Sequence, residues 1–216
     1  MIVELVGPAG VGKSTLNRQL TETWSARSGT IWGLPRRRLL RNGVQLIPSF
    51  MPLWRLADTT LWDETTHMVR LRTLQQLLRE EKPGELLVFD EGPVFALTWL
   101  RGFGHPIMRS LAADPWWQTA LRNWAGLMDA IVVLDAPDPL LAQRIRSRAY
   151  GHEVKRASDR EVAVWMGRFR EALDWVIAEL TKQPGPLVVR LETAAAEPAQ
   201  IAQRVLEALD RGAYAG

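Results

Sequence analysis

The first fifteen residues read MIVELVGPAGVGKST, and this stretch decides the fold. Ile2 to Val6 form a short apolar run that predicts a buried strand. Residues 7–14 then fit G-x-x-x-x-G-K-[ST], in which glycines let backbone N–H groups close around phosphate oxygens. Leu16 and Leu20 follow at helical spacing. A strand, a glycine-rich turn and a helix in this order predict a phosphate-binding loop.

The loop supplies the residues that we expect to hold a nucleotide. The Lys13 ammonium can reach the β- and γ-phosphates, and the Ser14 hydroxyl can ligate Mg²⁺. The helix that opens near Lys13 adds its positive end to the site. The loop resembles the Walker A loop of the P-loop NTPases, which implies ATP and Mg²⁺ as cofactors. The expected nucleotide contacts are Gly7, Pro8, Ala9, Gly10, Val11, Gly12, Lys13, Ser14 and Thr15.

Length and composition exclude several classes of protein. The chain has 216 residues, 47% hydrophobic and 24% charged, which suits one α/β domain over 1–216. It has no cysteines, so disulfides and thiolate metal sites are excluded and a cytoplasmic location is the default. No apolar run is long enough to span a bilayer, and we expect no membrane partner. The net charge of +3 suits anionic small substrates; nucleic acid is not required, and a homodimer stays open.

Four further apolar runs predict strands, and helical patterns separate them. Strands that alternate with helices predict a mainly parallel five-stranded sheet flanked by helices, which is a three-layer α/β fold. The sequence Ser158-Asp159-Arg160-Glu161 predicts a capping box at the start of a helix. The four runs are 30–34, 86–89, 130–134 and 187–191.

The region after the second predicted strand has a mixed pattern. Four arginines between residues 36 and 41 either hold an anionic substrate or form a solvated basic segment. Pro48 and Pro52 favour a loop over 45–52. From about residue 53 to residue 81 the pattern predicts an interrupted helix.

Two neighbouring carboxylates follow the predicted strand 86–89. Asp90 stands at its carboxyl end and Glu91 comes next, and ligands of open α/β sheets bind beyond this end of the strands. Asp90 can hold Mg²⁺ directly or through water. Asp90 or Glu91 can also accept a proton from an attacking hydroxyl. The alternative for Asp90 is a residue that merely starts a turn.

A basic segment follows the fourth predicted strand, over LDAPDPLLAQRIRSRAYGHEVKRASDRE at 134–161. It resembles the lid region of nucleoside and nucleotide kinases, especially thymidylate kinase-like and deoxynucleoside kinase-like proteins. The resemblance implies that at least one of Arg144 and Arg148, spaced as R-x-x-x-R, and Arg156, in a lid at about 150–158, brings its charge over the phosphates. Which of them does so stays open, and the alternative is a solvated helix face. Such arginines neutralise the transferring phosphoryl group and exclude water. Further candidate cations are Arg146, Lys155 and Arg160.

The same resemblance implies an ATP-dependent small-molecule kinase that acts on a hydroxyl or phosphate of a nucleoside, nucleotide or similar metabolite. The acceptor is expected between segments 36–72 and 92–105, and the loop 192–197 beside the adenine. These kinases commonly have Arg after the strand-end carboxylate, whereas this chain continues as Glu91-Gly92-Pro93. This departure leaves the acceptor open, including sugars and other alcohols. The alternative is a regulatory P-loop ATPase that acts through a protein partner, and a nucleic-acid end kinase ranks last.

Overall fold

A parallel sheet of five strands lies at the centre of the protein. The computed structural model describes residues 1–24, 26–57, 59–80, 84–147, 154–182, 184–194 and 196–213. The strand order is β2-β3-β1-β4-β5, so the first strand of the chain is flanked by β3 and β4. The strands are β1 (Ile2–Val6), β2 (Arg27–Thr30), β3 (Leu87–Glu91), β4 (Ala130–Asp135) and β5 (Leu187–Glu192).

Helices cover both faces of this sheet. One buried cluster packs Phe89, Leu97 and Trp124 together, and a second, on the other face, packs Leu5 and Val132. This arrangement confirms the predicted three-layer class, and none of the helices within the described ranges is long and apolar enough to cross a membrane. The helices are α1 (Lys13–Trp24), α2 (Arg36–Leu56), α3 (Trp62–Glu80), α4 (Pro93–Gly102), α5 (Asp114–Ala125), α6 (Asp138–Ser147), α7 (Asp159–Leu180) and α8 (Pro198–Ala213).

The capping box at the start of α7 is confirmed. The Ser158 side chain accepts the backbone N–H of Glu161, and the Glu161 carboxylate accepts the backbone N–H of Ser158 at 2.8 Å. Both bonds satisfy amide groups that the first turn of a helix leaves without partners. The interruption predicted within 53–81 is also present, because α2 ends at Leu56 and α3 begins at Trp62.

The loop predicted over 45–52 is wrong, because these residues lie inside α2. Each proline in a helix interior costs about 3 kcal/mol or more. The carbonyl groups that lose a helix partner belong to Val44 and Pro48, which lie four residues before Pro48 and Pro52, and both residues are exposed. Burial of the opposite face against α3 offsets the remaining cost. That face consists of Asn42, Leu46, Phe50 and Leu53.

The second strand lies earlier than predicted, at Arg27–Thr30 instead of 30–34. Its position depends on Gly29, where a Cβ atom would lie 2.6 Å from the Phe89 ring. The bare glycine therefore lets β2 approach β3, and the backbone N–H of Arg27 donates to the carbonyl oxygen of Leu86 at 2.8 Å. Sequence periodicity does not report this contact, because Phe89 is distant in the chain.

Candidate active site

The glycine-rich loop joins β1 to α1 at the carboxyl edge of the central strand. A Cβ on Gly7 would lie 2.1 Å from the carbonyl oxygen of Leu134, so β4 passes too close for any other residue. Gly12 has a φ of 102°, which residues with a side chain rarely adopt. These two positions explain why the loop needs its glycines, and all nine predicted contact residues lie in this one turn and the start of α1.

Lys13 lies across the loop. Its Nζ donates to the carbonyl oxygens of Gly7 at 2.8 Å and of Pro8 at 3.1 Å. Ser14 and Thr15 are exposed in the first turn of α1. An ammonium over a glycine-rich loop, followed in the chain by two exposed hydroxyls, fits a polyphosphate, since phosphate oxygens accept stronger hydrogen bonds than neutral carbonyls do.

The two candidate carboxylates lie on one side of the loop, at the carboxyl end of β3. Asp90 is half-buried, whereas Glu91 is exposed and its carboxylate accepts the indole N–H of Trp32. The described residues contain no cluster of three or more His, Asp or Glu that could hold a metal ion. Ser14 and Asp90 nevertheless supply the oxygen donors that Mg²⁺ prefers, and Mg²⁺ usually takes its other ligands from waters and phosphates.

Glu4 is a charged residue in the middle of β1, and it is completely buried. Its carboxylate accepts the backbone N–H groups of Gly92 at 3.1 Å, Val94 at 2.7 Å and Phe95 at 2.7 Å. It thereby caps the amino end of α4 and fixes the turn that follows Asp90. Burial raises the pKa of Glu4 to about 8, the three amide donors act in the opposite direction, and Asp90 raises it further.

A cavity of about 550 Å³ opens on the other side of the loop. The Thr193 hydroxyl, just beyond β5, donates to the carbonyl oxygen of Val11 at 3.0 Å. The Arg144 guanidinium lies 3.5 Å from the carbonyl oxygen of Gly10 and 3.4 Å from that of Thr193. These contacts join the phosphate loop, α6 and the loop after β5 around one space. Its lining includes Gly12, Thr15, Arg144, Thr193, Glu197 and Ile201.

The lid arginines have different surroundings. Arg146 pairs with Asp159 at 2.6 Å and donates to the carbonyl oxygen of Ala157, so it braces the start of α7. Arg156 is exposed. Arg148 lies outside the described residues, as does the part of the lid at 150–153.

Arg170 connects α7 to β4 and to α6. Its guanidinium contacts Asp135 at the end of β4, at 2.8 Å, and Asp138 at the start of α6, at 2.7 Å. The hydrogen bond to Asp135 raises the pKa of Arg170 more than its other contacts do. This charged cluster holds the two helices that flank the basic segment on the end of the central sheet.

An aromatic cluster lies on the carboxylate side of the loop. Trp32 meets His67 edge-on with ring centres 5.7 Å apart, and His67 stacks on Trp99 at 4.4 Å. The Arg70 guanidinium lies over Trp32 at 4.5 Å, and the indole of Trp32 reaches Glu91. Burial lowers the pKa of His67, which favours a neutral ring. The expected acceptor segments 36–72 and 92–105 therefore meet beside the end of β3.

Solved structures resemble this chain over nearly its whole length. A thymidylate kinase from Candida albicans is 13% identical with a TM-score of 0.57, covering 97% of this chain and 91% of its own. A deoxyadenosine kinase from M. mycoides, bound to dCMP and dCDP, is 14% identical with a TM-score of 0.53, covering 98% and 100%. A shikimate kinase from Acinetobacter baumannii is 17% identical with a TM-score of 0.50, covering 95% and 90%. Neither a protein-family model nor a curated protein sequence matches the chain.

The chain has the fold of the P-loop nucleotide kinases. At these identities the likeness concerns the fold alone, so residue roles depend on the geometry described above.

Two residues of this site, Glu4 and Trp32, were not predicted as parts of it, and a third, Thr193, lies in the loop 192–197 that was expected beside the adenine. Glu4 interrupts an otherwise apolar strand, and a charge inside a strand covered on both faces is a signal because charged residues are almost never fully buried unless paired. Thr193 follows β5, at the sheet edge where ligands bind, and only its hydroxyl contact with the phosphate loop was not predicted. Trp32 carries no comparable signal, because its contacts to Glu91 and Arg70 connect separate elements.

Proposed function

We propose that the protein is an ATP-dependent kinase of a small molecule. One observation carries the proposal: the strand order places the phosphate loop between the cavity beside β4 and β5 and the carboxylate-bearing end of β3. The space beside β4 and β5 is bounded by Arg144 and Thr193. The two carboxylates and the aromatic cluster lie beside β3 and β2. A phosphoryl donor on one side and an acceptor on the other is the arrangement that group transfer requires.

The nucleotide lies with its phosphates in the loop 7–15. Lys13 leaves the carbonyl oxygens of Gly7 and Pro8 and binds the β- and γ-phosphates. The purine enters the cavity beside Thr193 and Arg144, bordered by the loop after β5. Ser14 and Asp90 hold Mg²⁺, which when bound offsets the charge on the phosphates.

The acceptor lies on the β3 side, with its reacting oxygen in line with the γ-phosphorus. Glu91 accepts the proton of an acceptor hydroxyl, because its contact with Trp32 holds its carboxylate on this side. Asp90 then serves as the carboxylate ligand of the Mg²⁺ ion. At least one of the three arginines Arg144, Arg148 and Arg156 neutralises the transferring phosphoryl group, and the acceptor oxygen replaces ADP on the phosphorus.

The experiment is ADP release from Mg-ATP across a panel of nucleosides, nucleotides, sugars and other alcohols, with Lys13→Ala as the blank. Release that rises with one class of acceptor supports the kinase and identifies its substrate class. Slow release that no acceptor changes, together with nucleotide-dependent binding of a protein partner, would instead support a regulatory ATPase. A wild-type protein that releases no more ADP than Lys13→Ala with every acceptor contradicts the proposal.

A further inference from the structure

Helix α2 carries an apolar stripe that the protein does not bury. The stripe follows intervals of four and three residues, which place its members on one face of a helix. The exposed fraction of these side chains lies between 38% and 72%, although the neighbouring face of the same helix packs against α3. The α2 stripe consists of Leu40, Val44, Ile47, Met51 and Trp54.

The stripe borders an open groove of about 520 Å³ between α2 and α3. Trp62, at the start of α3, lines the groove and is 71% exposed. The indole N–H of Trp54 donates to the Thr65 hydroxyl at 3.2 Å, which fixes this ring at the rim. The apolar surface therefore extends across two helices and carries two indoles at its edge.

The charge of α2 has a single sign. The helix contains five arginines and no aspartate or glutamate. Arg38 pairs with Glu80, whereas Arg36, Arg37, Arg41 and Arg55 are exposed. A helix with arginines along its polar side and leucine, isoleucine and tryptophan on the apolar side has the composition of helices that lie in a membrane interface. Tryptophan rings also prefer the headgroup level of a bilayer.

We propose that the α2 stripe and its arginines bind the surface of an anionic lipid bilayer. The apolar side chains enter the boundary between headgroups and acyl chains, and the arginines contact lipid phosphates. A second copy of the chain fits this face less well than lipid, because α2 itself offers no acidic residue to the arginines of another α2. The expectation of no membrane partner considered only segments that span a bilayer, and interfacial binding requires none.

The α2 stripe lies close to the candidate active site, although the lipid proposal does not depend on the proposed function. The helix begins at Arg36, shortly after β2 ends at Thr30. Arg36 and Arg70 line the groove, and Arg70 also lies over Trp32 beside Glu91. A protein bound through α2 would therefore hold the acceptor side of its site close to the lipid.

The test is co-sedimentation of the full chain with phosphatidylcholine vesicles, with and without phosphatidylglycerol, at low and high salt. Wild type should bind the phosphatidylglycerol vesicles at low salt and release them at high salt. Val44→Glu with Ile47→Glu should weaken binding at least about tenfold, because it places carboxylates in the α2 stripe, which would enter the bilayer. The matched control is Leu111→Glu with Val164→Glu, which also replaces two exposed apolar residues by acids and should bind like wild type.

A third double variant, Arg37→Gln with Arg41→Gln, should weaken binding through charge alone and leaves the apolar face intact. If circular dichroism shows that Val44→Glu with Ile47→Glu does not fold, the arginine variant tests lipid binding in its place. Absence of wild-type binding overturns the proposal, as does equal weakening in the 44/47 and 111/164 variants. A wild-type dimer that ignores vesicles and becomes monomeric in the 44/47 variant would assign the stripe to a second copy.

Discussion

The Glu4 carboxylate accepts the backbone N–H of Val94 at 2.7 Å, and both residues are completely buried. The bond joins the middle of the central strand to the helix that follows the candidate carboxylates. It makes the position of the Asp90–Glu91 turn depend on a group that can lose its charge. The ionisation of Glu4 should consequently appear in the stability of the fold.

Glu4 should give the protein a pH-dependent stability. The pKa of Glu4 is raised from 4.5 to about 8, so the folded state keeps a proton that the unfolded chain releases. The free energy of unfolding should fall between pH 4.5 and about 8, by at most about 1.4 kcal/mol per pH unit. Glu4→Gln should flatten this part of the profile in urea titrations at several pH values. Glu171→Gln, at an exposed position on α7, should leave the slope as in wild type.

Lys13→Ala should remove turnover without unfolding the protein. The loss should be at least about a hundredfold in kcat, which is typical when a preorganised donor to transition-state charge is removed. Lys182→Ala is the matched control, because Lys182 is exposed and pairs with Glu179, three residues earlier in the chain. Rates are measured as ADP release and the fold by thermal melting. Activity of the Lys13 variant at the wild-type level would contradict the role of the loop.

Substitutions of Asp90 and of Glu91 should impair activity in different ways. Asp90→Asn should raise the Mg²⁺ concentration needed for half-maximal activity, since a neutral amide is a weaker ligand than a carboxylate. Glu91→Gln should lower kcat by about 10²- to 10⁴-fold with little change in the Mg²⁺ requirement. Kinetics at varied Mg²⁺ separate the two effects. If the two variants exchange these effects, the assignments of metal and proton must be reversed.

Arg144→Gln and Arg146→Gln test which arginine of α6 serves the nucleotide. Arg144 lies against the phosphate loop and the cavity, so its loss should raise the KM for ATP by about tenfold or more. Arg146 pairs with Asp159, away from the cavity, and its loss should lower the melting temperature slightly with an unchanged KM. Arg156→Gln, measured alongside, should reduce kcat more than KM if that side chain reaches the transferring group. Equal KM values for all three variants and wild type would contradict a nucleotide role for α6.

Thr193→Val should loosen the phosphate loop. The substitution keeps the shape of the side chain and removes the hydroxyl that donates to Val11 at 3.0 Å, which should cost about 1 kcal/mol. The KM for ATP should rise, because the same hydroxyl lies in the wall of the nucleotide cavity. Calorimetry and steady-state kinetics measure the two effects. A variant that melts and binds like wild type would show that the loop keeps its shape without this brace.

The sequence by itself determined the elements whose signals are local. Gly7 and Lys13 stand at a fixed spacing between a strand and a helix, and Ser158 and Glu161 are within one helical turn of each other. The alternation of apolar runs with helical patterns was sufficient to predict a three-layer fold with a parallel sheet, because few topologies bury such elements.

Only the tertiary structure decided the features that depend on contacts between distant segments. The close approach of Gly29 to the Phe89 ring fixes where β2 pairs with β3. Packing on α3 keeps α2 helical although the helix contains two prolines. The same packing determines which apolar residues of α2 are buried and leaves the α2 stripe exposed. Burial in the folded protein raises the pKa of Glu4, whereas the amide donors at the start of helix α4, about ninety residues further along the chain, lower it. Burial and electrostatic effects act through space, so residue spacing along the chain does not report them.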